Sequence, residues 1–199
     1  MQINNVTITD IDQIYSFYRI ASDYQKAKEK VIVWPDFNRN MVETEIAEHR
    51  QFKMLMNNEV VCIWAITFND EQIWEERNRD SAIYIHRIAT NPDFRGRNFV
   101  SKIVDWAKEY AKEKGIQFIR LDTLGNNTRL IKHYKNAGFD FEIATPTGKP
   151  VVFEMWAFPE EDEHVKAIYN ELKTSFEKPI KLADFIDSSF NDTASYAAV

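Results

Sequence analysis

The sequence predicts an α/β fold in which a mixed sheet is covered by helices. Strand-like and helix-like segments alternate through the middle of the chain, which is typical of a sheet with helices packed on it. Pairs of strand-like segments joined by short turns flank that middle region on both sides. The 199 residues are 44% apolar and 14% aromatic, so the chain is long enough and apolar enough to bury a full core.

The first 50 residues predict one strand and two helices. Residues 2–8 predict the strand, and Thr9-Asp10 is a capping signal for the first helix. The apolar stripe of that helix consists of Ile11, Ile14, Tyr15, Tyr18 and Ala21. Residues 31–35 predict a short apolar connector that ends at a proline. The second helix is expected from Asn38 to about Arg50, and its charged face consists of Glu43, Glu45 and Glu48.

A hairpin and a charged segment follow. Residues 52–56 and 60–68 predict two strands, and Asn57-Asn58-Glu59 between them favours a tight turn. The acidic segment (residues 69–80) contains only two large apolar groups, Ile73 and Trp74. It is interpreted either as a solvated loop or single helical turn, or as a flexible flap over an amine-binding site. Charge runs are usually solvent faces, which favours the first interpretation.

The stretch of residues 83–104 organises the chain. A β-branched and aromatic run predicts a buried strand, which ends at Asn91-Pro92-Asp93 because proline cannot donate to a sheet ladder. The basic turn (residues 95–98) then precedes a helix. The apolar stripe of this helix consists of Val100, Ile103, Val104, Ala107 and Ala111. The unpaired first amides of such a helix, its dipole and two arginines predict an anion site, most often for a phosphate.

The remaining residues predict further strands and helices. Residues 116–122 alternate as a strand, and Asn127 is the expected cap of a helix that ends before Gly138. Residues 139–144 and 151–158 predict two more strands. From Pro159 onward the pattern changes to amphipathic helices. We therefore expect a main domain over residues 1–158 and a helical extension over 159–199, packed on the domain or on a partner in a homodimer.

Composition limits the partners and the location. The net charge of −6 argues against a nucleic-acid partner and suits a cationic substrate such as an amine. The first residues lack the pattern of a signal peptide, and no apolar run approaches the ~20 residues of a membrane span. We therefore expect a cytoplasmic protein without a membrane partner. The single cysteine, Cys62, lies in an apolar run, which predicts a buried thiol.

The segment between Val60 and Phe158 resembles the GCN5-related N-acetyltransferases (the GNAT superfamily). The resemblance is carried by the strand, the Asn-Pro-x-x-Arg-Gly sequence, the following helix, the Asn-initiated helix with Tyr134, and Gly138-Phe139. It implies one GNAT-like domain with a mixed, mostly antiparallel sheet, acetyl-CoA as the co-substrate and an amine-bearing acceptor. No metal site is expected, because His49, His133 and His164 lie on predicted helices without paired ligand spacing. Asn98 and Val100 replace the two small residues of the family's loop, and a branched Cβ at Val100 predicts weaker or altered binding.

The resemblance also implies site residues. The main chain at the end of the central strand and the basic turn with the start of the next helix are expected to bind acetyl-CoA. These residues are Ile88, Ala89, Thr90, Arg95, Gly96, Arg97, Asn98, Phe99, Val100 and Ser101. Asn127 is expected to contact the pantetheine arm, although capping alone would explain it. Tyr134 is expected to protonate the departing thiolate; it also lies on an apolar stripe, and a buried ring with a hydroxyl at the site satisfies both roles.

The sequence leaves several residues as candidates for the general base. His86 has a suitable ordinary pKa near ~6.5, but a strand histidine bonded in the core fits the pattern equally. The carboxylates Glu75, Glu76 and Asp80 are alternatives if the acidic segment covers the site.

Trp34, Phe37 and Trp74 are candidates to line the acceptor side or a dimer seam. The alternative function is a catalytically silent CoA-binding module for sensing or structure, which the changes at Asn98 and Val100 suggest.

Overall fold

The computed structural model describes residues 1–28, 33–124, 127–139 and 150–157. The strand predicted at residues 139–144, apart from its first residue, and the extension predicted at 159–199 lie outside the described residues. The chain divides into two compact units. The first unit consists of the described residues among 1–67 and 85–99, and the second of those among 68–84 and 100–199.

The described helices agree with most of the predicted ones. The α-helices are α1 (Ile11–Ala27), α2 (Arg39–Ala47), α3 (Glu71–Trp74), α4 (Phe99–Lys114) and α5 (Thr128–Asn136). Short 3-10 turns cover Ile8–Asp10, Glu75–Arg79 and Pro92–Phe94. The acidic segment is therefore one α-helical turn followed by a 3-10 turn. Every helix among the described residues is too short or too polar to cross a lipid bilayer.

Six described strands form one sheet in chain order. They are β1 (Gln2–Asn5), β2 (Gln51–Met56), β3 (Glu59–Thr67), β4 (Ala82–Thr90), β5 (Phe118–Leu124) and β6 (Pro150–Trp156). Strand β2 pairs antiparallel with β1 and β3, and β5 pairs antiparallel with β6. Helix α4 connects β4 to its neighbour β5, which is the crossover that parallel strands need. The predicted mixed sheet with flanking helices is confirmed.

Local sequence signals set the ends of elements in the first unit. The carboxylate of Asp10 accepts hydrogen bonds from the Thr7 amide and hydroxyl, both at 2.8 Å, just before α1. The Asn38 side chain accepts the Asn40 amide at 2.8 Å and thereby caps α2. Asn57 and Asn58 both have positive φ angles, as a tight hairpin turn requires. These short-range bonds explain why the sequence predicted these boundaries well.

The core of the first unit is built from the buried faces of α1 and α2 and from the strands beside them. Its buried members are Val6, Ile11, Ile14, Phe17, Tyr18, Val42, Ile46, Val60, Ile63 and Ala89. Cys62 is fully buried, as predicted, and burial raises the pKa of its thiol to about 12. This cysteine is therefore a packing residue rather than a nucleophile.

The second unit is organised around a buried arginine on β5. Arg120 is 1% exposed and donates to the carboxylates of Glu154 on β6, at 2.5 Å, and of Asp80 in the acidic segment. It also donates to the Arg77 carbonyl at 2.6 Å and to the Tyr84 hydroxyl at 3.1 Å. A buried charge is tolerated only when it is paired and hydrogen-bonded in this way. The network fixes the acidic segment to the two strands.

Aromatic rings surround the same guanidinium. Its carbon lies 4.6 Å from the ring centre of Trp74 and 4.9 Å from that of Phe118. Trp74 is only 4% exposed, so it anchors the acidic segment in the core of this unit. It is therefore not a free aromatic that lines an acceptor site. The segment is also not a loosely attached flap, because both its tryptophan and Asp80 are held.

We expect Arg120→Met to lower the free energy of unfolding by about 3–5 kcal/mol, because it removes the guanidinium that bonds to the buried Glu154 carboxylate. Urea denaturation at pH 7 measures this loss. Arg39→Met is the matched control, since Arg39 pairs with Glu43 on an exposed helix face, where such pairs contribute roughly 0–1 kcal/mol. Equal losses for the two variants would contradict the structural role given to Arg120.

Candidate active site

The residues after β4 form an ordered entry to the basic turn. The Asn91 amide donates to the Val61 carbonyl at 2.9 Å, and the Asn91 side chain accepts the Asp93 amide at 3.1 Å. The amides of Phe94 and Arg95 then close a 3-10 turn by donating to the carbonyls of Asn91 and Pro92. The first half of the connection between β4 and α4 is thus fixed by its own backbone.

The basic turn presents backbone amides to solvent. Gly96 has φ +81° and Asn98 has φ +55°, so two left-handed residues flank Arg97. Within the described part of the chain, the amides of Gly96 and Arg97 donate to no other backbone group, and both residues are exposed. A Cβ placed on Gly96 would meet no atom within 4 Å, so the space above the turn is open. Alternating left-handed residues with free amides form a concavity that favours anions.

The side chains that replace small residues do not obstruct this turn. Asn98 takes the left-handed conformation that asparagine tolerates better than most residues. Phe99 and Val100 are 5% and 8% exposed, so their side chains point into the interior of the protein. The branched Cβ of Val100 therefore gives no steric reason for weakened binding at the outer surface of the turn.

Both arginines of the basic turn keep their charge available. The Arg95 guanidinium lies 4.3 Å from the ring centre of Tyr24, and that of Arg97 lies 4.9 Å from the ring centre of Phe94. Neither arginine pairs with a carboxylate among the residues that the structure covers. Aromatic rings orient these cations without neutralising them. The turn is therefore suited to a diphosphate.

Strand β4 contains a strained residue at Arg87, whose φ is +51°. Its side chain donates to the Glu45 carboxylate at 2.6 Å and to the Tyr18 hydroxyl at 3.2 Å. A positive φ in a non-glycine strand residue persists only where its surroundings hold it, and such strain is common at functional sites. It also interrupts the regular alternation that placed His86 and Ile88 on one face.

Glu45 departs from its predicted environment. The sequence placed it on the charged face of α2 with Glu43 and Glu48, but its side chain is buried, with 6% exposure. Besides Arg87, its carboxylate accepts the Gln51 side-chain amide at 2.8 Å and lies 3.7 Å from Arg50. The reason is tertiary, since Arg87 on β4, Gln51 at the start of β2 and Arg50 just before that strand surround one carboxylate.

The histidine proposed as a base has low basicity. Burial, and then the positive charge of the neighbouring Arg87, lowers the pKa of His86 to about 4. The ring is therefore neutral at pH 7 but has little tendency to accept a proton. The carboxylate alternative Asp80 is bonded to Arg120. Glu75 and Glu76 are exposed on the 3-10 turn of the acidic segment.

Helix α5 carries Tyr134 with a buried ring, as its apolar stripe predicted. The Asn127 side chain accepts the Leu130 amide at 3.3 Å, which confirms its capping role. The Tyr134 ring is 7% exposed and contacts Phe153 and Phe139 edge to face, with ring centres 5.4 and 6.2 Å apart. Burial, and then the charge of Asp122, raises the pKa of Tyr134, so the phenol keeps its proton at neutral pH.

Sequence reasoning missed two carboxylates in the second unit. Asp122 lies on β5 opposite Val152, in phase with Phe118 and Arg120, and oxygens of Asp122 and Asp70 lie within 4.8 Å of each other. Burial, and then the charge of Asp70, raises the pKa of Asp122 to about 6. The sequence signal that could have revealed Asp122 is an acidic residue at an inward-facing position of a strand whose side chains alternate between two faces.

A strand, an amide-presenting basic turn and a helix form an arrangement that is suited to bind the phosphate of a co-substrate. Residues 11–139 match the family model described as "Acetyltransferase (GNAT) family", and the chain belongs to this family. Acetyl transfer is therefore its general class of chemistry, and the predicted resemblance is confirmed.

Solved structures of this family have the same fold. A GNAT-family acetyltransferase from Listeria monocytogenes is 20% identical with a TM-score of 0.67, and the alignment covers 78% of this chain and 94% of that one. The PaiA N-acetyltransferase from Thermoplasma acidophilum, solved with coenzyme A, is 13% identical with a TM-score of 0.59 over 78% and 98% of the chains. These identities show a shared fold and leave the acceptor undefined.

A shorter stretch is similar to curated proteins with another name. It is 48% identical over 67 residues to the protein/nucleic acid deglycase HchA of Pseudomonas aeruginosa, which is 34% of this chain and 23% of that protein. The match to the HchA of Staphylococcus aureus is 44% over 69 residues, covering 35% and 24%. The chain thus spans about a quarter of the length of these relatives, which is too little to indicate a shared activity.

The charge on Asp122 gives a prediction for stability. Its folded-state pKa of about 6 lies above its ordinary 3.8, so ionisation of Asp122 opposes folding and the contribution of this group to stability falls as the pH rises from 4 to 6. Asp122→Asn removes this fall and is more stable than wild type at pH 7, by roughly 1–3 kcal/mol. Urea unfolding at pH 4, 5, 6 and 7 measures the difference between the two proteins.

Asp105→Asn is the matched control for this experiment. Asp105 is an exposed carboxylate on α4, so its substitution is expected to leave the pH dependence of the wild type in place. A pH dependence in Asp122→Asn identical to that of the wild type would show that Asp122 ionises normally in the folded protein.

Proposed function

We propose that this protein transfers an acetyl group from acetyl-CoA to a primary amine, which attacks the thioester directly in a ternary complex. The observation that carries the proposal is the basic turn, where the exposed amides of Gly96 and Arg97 lie beside two guanidinium groups that pair with no carboxylate in the described residues. Main-chain amides, the dipole of α4 and fixed positive charge together favour a diphosphate, which coenzyme A carries.

The remaining contacts with acetyl-CoA are assigned by the family resemblance. Residues 95–101 hold the diphosphate, mainly through main-chain donors. The main chain of residues 88–90 donates to the thioester oxygen as negative charge develops on it. Asn127, whose side chain caps α5, contacts the pantetheine arm. Support for these assignments comes from the conformation of the turn and from membership of the family.

Tyr134 is the proposed acid. A thiolate leaves more readily when a neutral donor supplies a proton or a strong hydrogen bond. The pKa of Tyr134 is raised by burial, so its hydroxyl is present as the donor across the physiological range. Edge-to-face contacts with Phe139 and Phe153 fix the ring and thereby limit where the hydroxyl can lie.

The acceptor is proposed to be an amine with an apolar or cationic body. Within the first unit, a cavity of about 360 Å³ is lined by α1 and the residues that precede α2: Tyr15, Tyr18, Arg19, Ser22, Pro35, Asp36 and Phe37. The aromatic walls of this cavity favour such a group, and the net charge of −6 attracts cations. The predicted aromatics Trp34 and Phe37 contact this cluster.

The alternative function is a catalytically silent CoA-binding module. The left-handed backbone of Asn98 and the buried side chain of Val100 support the enzyme over this alternative. An assay of coenzyme A thiol release from acetyl-CoA, against a panel of small amines, amino acids, peptides and aminoglycosides, separates the two functions. Turnover with at least one amine supports the enzyme, whereas binding of acetyl-CoA without turnover on the whole panel favours the module.

The basic turn is tested by a pair of glycine variants. Gly96→Ala and Gly115→Ala both place a side chain on a left-handed residue with open space around it, so each is expected to cost roughly 1–2 kcal/mol of stability. Only Gly96→Ala should also disturb the amides of the turn and weaken acetyl-CoA binding about tenfold or more, as measured by calorimetry. Unchanged affinity in Gly96→Ala, or equal weakening in both, would contradict the assigned site.

Tyr134→Phe tests the acid. We expect a ~10²–10⁴-fold lower kcat with acetyl-CoA affinity within about twofold of wild type, because only the proton donor is removed. Steady-state thiol release and calorimetry give the two quantities. Tyr110→Phe, on a partly exposed face of α4, is the control and should change neither. A Tyr134→Phe variant that keeps full kcat would make the tyrosine a packing residue.

A further inference from the structure

We propose that Arg87 is a positioning residue for the transfer, which sets both the main chain that binds the thioester and the aromatic wall of the acceptor cavity. This inference rests on the proposed function, because that function assigns residues 88–90 to the thioester and the cavity of the first unit to the acceptor. Arg87 directly precedes residues 88–90 on β4, and its guanidinium lies against two rings of that cavity.

The backbone of β4 is irregular at Arg87. Its φ of +51° is far from the roughly −120 to −140° of a regular strand, so the alternation of faces is interrupted there. The irregularity is local, because the Asn91 amide donates to the Val61 carbonyl at 2.9 Å four residues later. A residue with a Cβ disfavours this conformation, so the course of residues 88–90 depends on the groups that hold Arg87.

A closed network of buried side chains holds Arg87. Its guanidinium donates to the Glu45 carboxylate at 2.6 Å and to the Tyr18 hydroxyl at 3.2 Å. The Gln51 side-chain amide completes the network, since it donates to the same carboxylate at 2.8 Å and to the same hydroxyl at 3.0 Å. Glu45, Tyr18 and Gln51 are at most 6% exposed. Buried polar groups that satisfy one another are rigid, so the position of the guanidinium is fixed.

The same guanidinium lies against the aromatic wall of the acceptor cavity. Its carbon is 5.3 Å from the ring centre of Phe37 and 5.9 Å from that of Tyr18, and both residues line the cavity. The two rings are 4.8 Å apart, and the Tyr15 hydroxyl donates to the Phe37 carbonyl at 3.0 Å. A cation attracts the aromatic faces beside it. An acceptor that contacts this wall is therefore linked through one side chain to the main chain of residues 88–90.

Stability alone does not account for this arrangement. A buried ion pair loses hydration that its Coulomb attraction offsets only in good geometry, and an apolar residue with an ordinary φ would fill the space without strain. The Arg87 network maintains a disfavoured backbone conformation directly before residues 88–90. Strain that is held in this way is characteristic of sites where function requires the conformation.

The test compares two substitutions that remove the same contacts but differ in backbone preference. Arg87→Ala and Arg87→Gly both lose the bonds to Glu45 and Tyr18, whereas only glycine adopts a positive φ without strain. We expect Arg87→Ala to lower kcat by ~10–10²-fold, because the thioester is misplaced. Arg87→Gly should have a kcat about tenfold higher than Arg87→Ala. Both should raise the KM for the amine by a similar factor, because both remove the cation beside Phe37.

A second comparison applies if Arg87→Ala does not fold. Glu45→Gln keeps the size of the side chain but leaves the guanidinium on a strained backbone without its charged partner, so kcat should fall about fivefold or more. Arg87→Gly should be the more active of the two, although it removes more atoms, and Glu45 keeps Gln51 and Arg50 as neighbours in it. Glu43→Gln, on an exposed part of the same helix, is the control and should keep the wild-type kcat and KM.

Steady-state thiol release, circular dichroism and calorimetry with coenzyme A decide between the outcomes. A kcat in Arg87→Gly above those of Arg87→Ala and Glu45→Gln, with coenzyme A affinity within about threefold of wild type, supports the positioning role. Equal kcat values in the folded variants would make Arg87 a packing residue and overturn the inference, while wild-type turnover leaves the proposed function intact. A wild type that binds acetyl-CoA but acetylates no amine overturns the proposed function, and the inference with it.

Discussion

The buried guanidinium of Arg120 is the interaction on which the second unit depends. It bonds to carboxylates from a strand and from the acidic segment, and two aromatic rings exclude water from it. The Coulomb attraction offsets desolvation only while these partners stay in place, so the segment is fixed relative to β5 and β6. Asp70 belongs to this segment, and its distance from Asp122 is therefore a consequence of the Arg120 network.

A comparable constraint operates in the first unit. The ion pair between Arg87 and Glu45 is largely buried, and it holds a strand residue at a positive φ that its side chain disfavours. Such strain is compatible with stability because the hydrogen bonds that Arg87 donates to Glu45 and Tyr18 compensate for it. The irregularity lies just before residues 88–90, whose main chain the family resemblance associates with the thioester. The strained Arg87 and the residues proposed to bind the thioester oxygen thus lie within one stretch of four residues.

Surroundings rather than residue type determine the acid–base properties in this protein. His86, the residue type with an ordinary pKa nearest to neutrality, loses basicity through burial and the charge of Arg87. Asp122, ordinarily a weak base, gains basicity through burial and the charge of Asp70. The basic turn shows the same principle for anions, since its arginines are oriented by rings and keep their charge. For Asp122 and Arg95 the neighbours responsible, Asp70 and Tyr24, are distant in the sequence.

The sequence by itself determined the order of strands and helices among the described residues, the cap at Asn127 and the basic turn that precedes α4. These features depend on hydrophobic period and on bonds between residues a few positions apart, which a sequence displays directly. Only the tertiary structure decided that Glu45 and Trp74 are buried and that Asp122 is an unusual carboxylate. Their environments are built from other elements of the chain, so the burial and the charge that surround them arise only when those elements pack.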